Sequence, residues 1–225
     1  MTRENTRCVV LVTGSSRGIG AAVAKLFLER GCRVLGIDRL PASIQATEYT
    51  HFIADVAVPE TLPELNVLPN VVINNAGVQN EGNDIQVNLK GTIAVTEKYA
   101  FHEGLKAVLN IASASAHTGA EFPEYSASKG GVLAYTKNVA LRVAKYGAVC
   151  NSISPGGVTT ELNRPVMDAP ELWNRIMALT PLKKWASPEE IAEWCWFLTM
   201  VNVSCTGQDV LIDNGEASNA EFVWV

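Results

Sequence analysis

The sequence predicts a doubly wound α/β fold, a parallel sheet of about seven strands with helices on both faces in three layers. Three observations predict it. Short β-rich runs recur along the chain, and longer segments with helical spacing separate them. The apolar residues of the runs are nearly continuous, which suits strands buried on both faces. The chain has 225 residues, 48% of them hydrophobic, enough for one large core. With no linker, low-complexity tract or composition shift, residues 1–225 read as one domain.

The first run, CVVLVTG (8–14), leads into TGSSRGIG (13–20) and then the helical segment GAAVAKLFLERG (20–31). Gly14 can turn the chain sharply. Gly18 and Gly20 remove side chains where backbone must approach a ligand or the sheet. Ser16, Arg17 and Ile19 fill the rest of this turn. The helix start behind it offers free N–H groups and a positive dipole end to a diphosphate. Gly31 sits where a helix C-cap is expected. A turn of this kind alone is weak evidence of binding; its place between a first strand and a helix strengthens it.

RVLGID (33–38) is the second run, and it ends in Asp38. In a dinucleotide fold an acid there accepts hydrogen bonds from the adenosine ribose, and it repels the extra phosphate of NADP. Arg17 and Arg39 are possible counterweights, since either guanidinium could reach a 2′-phosphate. The acid favours NAD over NADP. HFIAD (51–55) and NVVINNAG (70–77) follow, then GTIAVTEKYAFHEG (91–104) with helical spacing. KAVLNIAS (106–113) is the fifth run. The long helical segment SKGGVLAYTKNVALRVAKYG (128–147) ends on Gly147, a second expected C-cap. AVCNSISPG (148–156) and QDVLID (208–213) complete the set. Between them, residues 159–190 carry four prolines and little strand signal. Leu172, Trp173, Ile176 and Met177 there could form one apolar helix face. The segment either packs against the body or forms a lid over a site.

Net charge is −5, against the basic face a nucleic-acid binder needs. The five cysteines form no CxxC pair, and the three histidines lie far apart, so no metal site is expected. The cysteines read as buried free thiols of a reducing compartment. MTRENTR is short and polar and does not read as a signal peptide. No apolar run reaches the 18 residues a membrane span needs. The expectation is a soluble cytoplasmic protein.

YSASK (125–129) places a phenol four residues before an ammonium, on one face of a helix. A tyrosine normally titrates near 10, and a nearby cation favours the phenolate. Such a tyrosine can exchange a proton with an alcohol or carbonyl near neutral pH. The same pattern alone would also serve an amphipathic helix with Tyr125 half-buried and Lys129 solvated.

TGSSRGIG, NNAG (74–77) and YSASK, in this order, resemble the short-chain dehydrogenase/reductase family over nearly the whole chain. The resemblance implies a Rossmann-like fold and a homodimer or homotetramer. It also implies roles for particular residues. Tyr125 and Lys129 would be the catalytic pair, and Ser113 the catalytic serine, with Ser115 a less fitting stand-in. Asn88, in VNLKG, would hold a water in a proton relay. Asp55 would contact adenine with Val56 beside it, and Asn75, Ala76 and Gly77 would lie along the cofactor. PGGVTT (155–160) would close over the nicotinamide through Pro155, Gly156, Val158 and Thr160. IDNG (212–215) stands where the family has VDGG, with Asn214 replacing a glycine.

The implied reaction joins an alcohol or ketone substrate to NAD. An apolar set (Phe122, Val158, Leu162, Met167, Trp173, Met177) points to a fairly apolar compound. Two segments are short for the family: 56–73, with Pro59, Pro63 and Pro69, and VQNEGNDIQV (78–87). The gap from Ser113 to Tyr125 is also short by about one residue. Arg17 and Arg39 leave open an NADP(H)-dependent carbonyl or 3-oxoacyl reductase. The trims leave open a dinucleotide sensor or scaffold with little catalysis, and an interaction protein that kept only the fold. The tail EASNAEFVWV (216–225) could pack on the body, enter a partner subunit or reach a neighbouring active site.

Overall fold

The computed structural model describes residues 7–120 and 122–218; residues 219–225 of the tail lie outside them. Every apolar run starts a strand within two residues of its expected place. The strands are β1 (Val9–Thr13), β2 (Arg33–Asp38), β3 (Tyr49–Ile53), β4 (Val71–Asn74), β5 (Ala107–Ile111), β6 (Val149–Pro155) and β7 (Asp209–Ile212). They form one parallel sheet in the order β3-β2-β1-β4-β5-β6-β7. The order reverses between β1 and β4, and a crevice opens at such a switch point, beyond the C-terminal ends of the strands.

The period of two sorts each strand's side chains into two cores. Val10 and Val12 face one, with Val23 and Phe27 of α1 (Gly18–Glu29). Val9 and Leu11 face the other, with Val95 and Tyr99 of α2 (Thr92–Tyr99). The short helix α3 (Ser115–Thr118) follows β5. The long helix α4 (Pro123–Val143) packs beside α2, and Val139 and Val143 bury their side chains there. Near the C-terminus α7 (Pro188–Trp196) joins α1, through Ile191 and Cys195. Its start has the capping box the sequence SPEE encodes: the Glu190 N–H donates to Ser187 Oγ, and the Ser187 N–H to the Glu190 carboxylate. Gly31 (φ +83°) and Gly147 (φ +69°) take the left-handed conformation of helix ends.

The helix layers thin out at one edge of the sheet. No helix joins β2 to β3, and only a single 3-10 turn, Pro59–Thr61, lies between β3 and β4. Prolines at 59, 63 and 69 explain the second case. Side chains do the covering instead. Lys98 and Tyr99 of α2 donate to the carbonyls of Leu62 and Pro63, at 2.8 and 2.6 Å, and hold that segment down. On the other face Tyr49 reaches back over Gly36 to Ser15. The bonds order themselves as a chain. His51 Nε2–H must donate to the Leu40 carbonyl, so Nδ1 accepts from Tyr49, whose oxygen accepts from Ser15.

Residues 159–190 contain α5 (Arg164–Met167) and α6 (Pro170–Leu179) and no strand. Nothing on α6 is fully buried. The segment is pinned at its base. Thr159 N–H donates to the Ala186 carbonyl, and Ala186 N–H to that of Gly157. Trp185 lies flat where a side chain on Gly157 would stand, and packs edge-to-face on Trp173. Glu216 accepts from Trp185 Nε1 and Thr180 Oγ1. Asn214 adopts φ +57°, which asparagine tolerates better than most residues, so it can stand where the family has glycine.

Among the described residues no helix is long and apolar enough to cross a membrane, and no histidine, cysteine and carboxylate group could hold a metal. All five cysteines are free, three of them buried.

Candidate active site

The crevice at the switch point is a cleft of about 210 Å³. Of the residues expected to hold a cofactor, Gly14, Arg17, Gly18, Ile19, Asp38, Arg39, Asp55, Val56, Asn75, Ala76, Gly77 and Thr160 line it. Ser16 and Gly20 lie just behind its wall. The Ser16 N–H donates to Asp38 Oδ2 at 2.9 Å. A side chain on Gly20 would collide with the Gly14 carbonyl oxygen and the Asn75 amide. Pro155 ends β6, and Gly156 presses on Asp213. Val158 is buried in the core, its carbonyl accepting from Thr160 N–H and Asn163 Nδ2.

The cleft fits the group the residues suggest. Gly14 and Gly18 both have positive φ, and a side chain on Gly14 would press on Ala76 and Asn75. The turn thus brings bare backbone to the start of α1, where helix N–H groups have no helical acceptor. Asp38 is 9% exposed, and each carboxylate oxygen already accepts one backbone N–H, from Ser16 and Leu40. Each retains capacity for a hydroxyl donor. Gly20→Ala is expected to displace the start of α1, because backbone stands in the way. It should cost about 1–3 kcal/mol and raise the dissociation constant for a bound dinucleotide at least about tenfold. Thermal melts and fluorescence titration read both effects; a variant with unaltered binding would refute the tight cradle.

The other expected residues lie outside the lining of the cleft, and two of them, Asn88 and Lys129, reach its wall at Gly77. Ser113 follows β5 and is 7% exposed. Its Oγ accepts the Ser115 N–H at 3.2 Å, which leaves the hydroxyl hydrogen free to be given elsewhere. Ser115 itself begins α3. Tyr125 and Lys129 lie one turn apart on α4, and the ammonium is 5.8 Å from the centre of the phenol ring. Lys129 is buried, not solvated. Its Nζ donates to the Ile111 carbonyl at 2.9 Å, and burial pushes its pKa down to about 8, opposed by the negative charge of Asp84. A side chain on Gly77 would sit 3.4 Å from Lys129 Nζ and 3.1 Å from Asn88 Oδ1, so these two groups adjoin the cleft wall.

Asn88 lies at the centre of a π-helical stretch, Ile85–Gly91, that runs into α2. Single π turns are frequent at functional sites. Its side chain is spent on structure. Both amide hydrogens go to Val78 O and Ser128 Oγ, and Oδ1 accepts from Val78 N–H. Its main-chain carbonyl, which already accepts from Thr92 Oγ1, keeps an acceptor site for a water.

Three participants escaped the sequence reading. Thr13 Oγ1 accepts from the N–H groups of Asn75 and Ala76 and sets the NNAG turn. Asp84, 1% exposed, accepts from Asn80 and Glu81 N–H and faces Lys129. Glu81 lines the cleft. Thr13 was within sight, immediately before Gly14. Asp84 and Glu81 had no local signal, because a short polar loop looks like any other. His117 bonds Asp209 at 2.7 Å and Ser154 at 3.3 Å.

Residues 8–55 match a family model described as short chain dehydrogenase, and residues 70–216 one described as enoyl-(acyl carrier protein) reductase. The chain belongs to the short-chain dehydrogenase/reductase family. It is therefore an oxidoreductase of a family that uses NAD(P). An L-fucose dehydrogenase of Mus musculus is 32% identical, over 92% of this chain and 87% of its own. The 2-(R)-hydroxypropyl-CoM dehydrogenase of Xanthobacter autotrophicus is 29% identical, over 93% and 95%. Among solved structures, a 4-hydroxyisoleucine dehydrogenase complexed with NADH superposes with a TM-score of 0.88 at 25% identity. It covers 95% of this dehydrogenase/reductase and 100% of that chain.

Proposed function

We propose that the protein interconverts a secondary alcohol and a ketone with NAD(H), using Tyr125 as acid and base. The observation that carries this reading is Lys129: an ammonium buried against Ile111 O, within 5.8 Å of the Tyr125 ring and beside the cleft wall at Gly77. Burying a charge is costly, and a dinucleotide sensor or scaffold has no need of it.

Asp38 and the glycine turn would hold the adenosine and diphosphate, and Lys129 a hydroxyl of the nicotinamide ribose. When bound, the nicotinamide supplies hydride donation and acceptance. The residues handle the proton. The Lys129 ammonium favours the phenolate of Tyr125. Tyr125 Oη gives a proton to the substrate oxygen in reduction and takes it in oxidation. Ser113 Oγ, its lone pair already on Ser115 N–H, directs its hydrogen at the same oxygen and stabilises charge there. The main-chain carbonyl of Asn88 would hold a water that relays protons to solvent.

The whole chain serves as one catalytic unit, with residues 159–190 as the lid. Thr160, Glu161 and Leu162 at its start line the cleft, while both ends are fastened. The relatives' names span L-fucose and a hydroxypropyl-CoM, so an alcohol class is proposed and not one compound. An NADP(H) reading rests on Arg17, which makes no ion pair among the described residues.

The test is fluorescence titration with NADH and NADPH, followed by alcohols with NAD and ketones with NADH. Tighter NADH binding and cofactor-dependent turnover are expected. Tighter NADPH binding would reverse the cofactor assignment, and binding of neither would remove the enzyme reading.

A further inference from the structure

Six charged residues line the cleft: Asp38, Asp55, Glu81 and Glu161 against Arg17 and Arg39. The cleft is thus acidic on balance. Arg39 follows Asp38 directly, where a guanidinium could take a 2′-phosphate. In the structure it faces Glu81 instead, with Nη2 3.6 Å from Oε2. The two come from opposite walls, the β2 end and the shortened loop after NNAG.

That loop is built to hold Glu81. Asn80 adopts φ +58° and Gly82 φ +78°, so the chain turns tightly around residue 81. Asp84, buried below, accepts the N–H groups of Asn80 and Glu81 at 2.8 and 3.1 Å. The backbone of Glu81 is therefore anchored in the protein interior, while its side chain stays half-exposed at the rim.

We propose that Glu81 is a determinant of cofactor selectivity: it occupies Arg39 and places a second carboxylate near the adenosine ribose, so that a 2′-phosphate is refused. The inference rests on the reading that this cleft binds the adenosine of a nicotinamide dinucleotide. An exposed ion pair of this kind adds little to stability. Its effect falls on a dianionic group brought between the two walls. That group would meet one more negative charge and lose its best cation.

The experiment is titration of wild type, Glu81→Gln, Arg39→Ala and the double variant with NADH and with NADPH, followed by fluorescence. Glu81→Gln is expected to tighten NADPH about threefold to tenfold relative to NADH, the size of a partly screened charge contact. Arg39→Ala alone should change NADPH binding little, since Glu81 already occupies that guanidinium. Most of the gain should vanish in the double variant, leaving only the small part due to the removed carboxylate. An unchanged ratio in Glu81→Gln would overturn the proposal. So would a gain that survives in full without Arg39, because the effect would then be the general field of the cleft. Wild-type preference for NADPH, with the Glu81→Gln gain still present and still dependent on Arg39, would strike the NAD assignment and leave this inference standing. Binding of neither cofactor would overturn both.

Discussion

Tyr125→Phe is expected to lower turnover about a thousandfold, within the range general acid–base groups supply, while NADH binds as before. The change removes one oxygen from the ring. No neighbour can replace it. Ser113 is a weak acid, and Lys129 Nζ is turned to the Ile111 carbonyl. His117, the nearest histidine in sequence, is bonded to Asp209 and Ser154. The phenylalanine ring keeps the same face beside Lys129, so the cleft wall should hold its shape. Single-turnover rates and a parallel NADH titration separate the two effects. Activity within tenfold of wild type would end the assignment of Tyr125 as proton donor.

Lys129→Met should abolish turnover and, at neutral pH, make the free protein more stable. Lys129 is buried, and that burial takes its pKa from 10.5 to about 8. That drop corresponds to about 3 kcal/mol. The sign follows from proton counting. Between pH 8 and 10.5 the unfolded chain binds a proton at this site that the folded chain has lost. Folding stability from this residue therefore rises with pH across that window, and the full cost is present below pH 8. Methionine removes the charge with similar bulk. Losing the bond to Ile111 O takes back about 1 kcal/mol. A net gain of about 2 kcal/mol is expected at pH 7, shrinking towards pH 10. Urea unfolding of both proteins at the two pH values measures it. A variant less stable than wild type at pH 7 would show that Lys129 supports the fold instead of burdening it. Stability given up for chemistry is a common signature of an active site.

The strands were legible because seven continuous apolar runs have few other uses, and the structure starts each within two residues of its run. The glycine turn and Asp38 were legible because their chemistry is local. Lys129 was half-legible: the four-residue spacing to Tyr125 was visible, but its burial depends on Ile111 and Gly77, distant in sequence. Asn88 was marked for a water, yet its side chain is committed to Val78 and Ser128. Glu81 could not be read at all. Its meaning comes from facing Arg39, and only the tertiary fold brings 39 and 81 together. The prolines at 59, 63 and 69 correctly warned of a lost helix. They said nothing of Tyr49, which covers the other face through Ser15 and His51.

The edge without helices gives the molecule an uneven resistance to opening. The backbone of β4, β5 and β6 is enclosed throughout, whereas β3 is only half covered and Ile53 is 69% exposed. In amide hydrogen exchange the central strands should be slowest, and β3 should open by local excursions far cheaper than global unfolding. The cleft reaches this loose edge, since Ala54, Asp55 and Val56 after β3 line it. A ligand there binds only the closed arrangement, so its binding energy is felt first as slower exchange at that edge. In this protein a bound cofactor would act as a clasp across the strand ends of that edge.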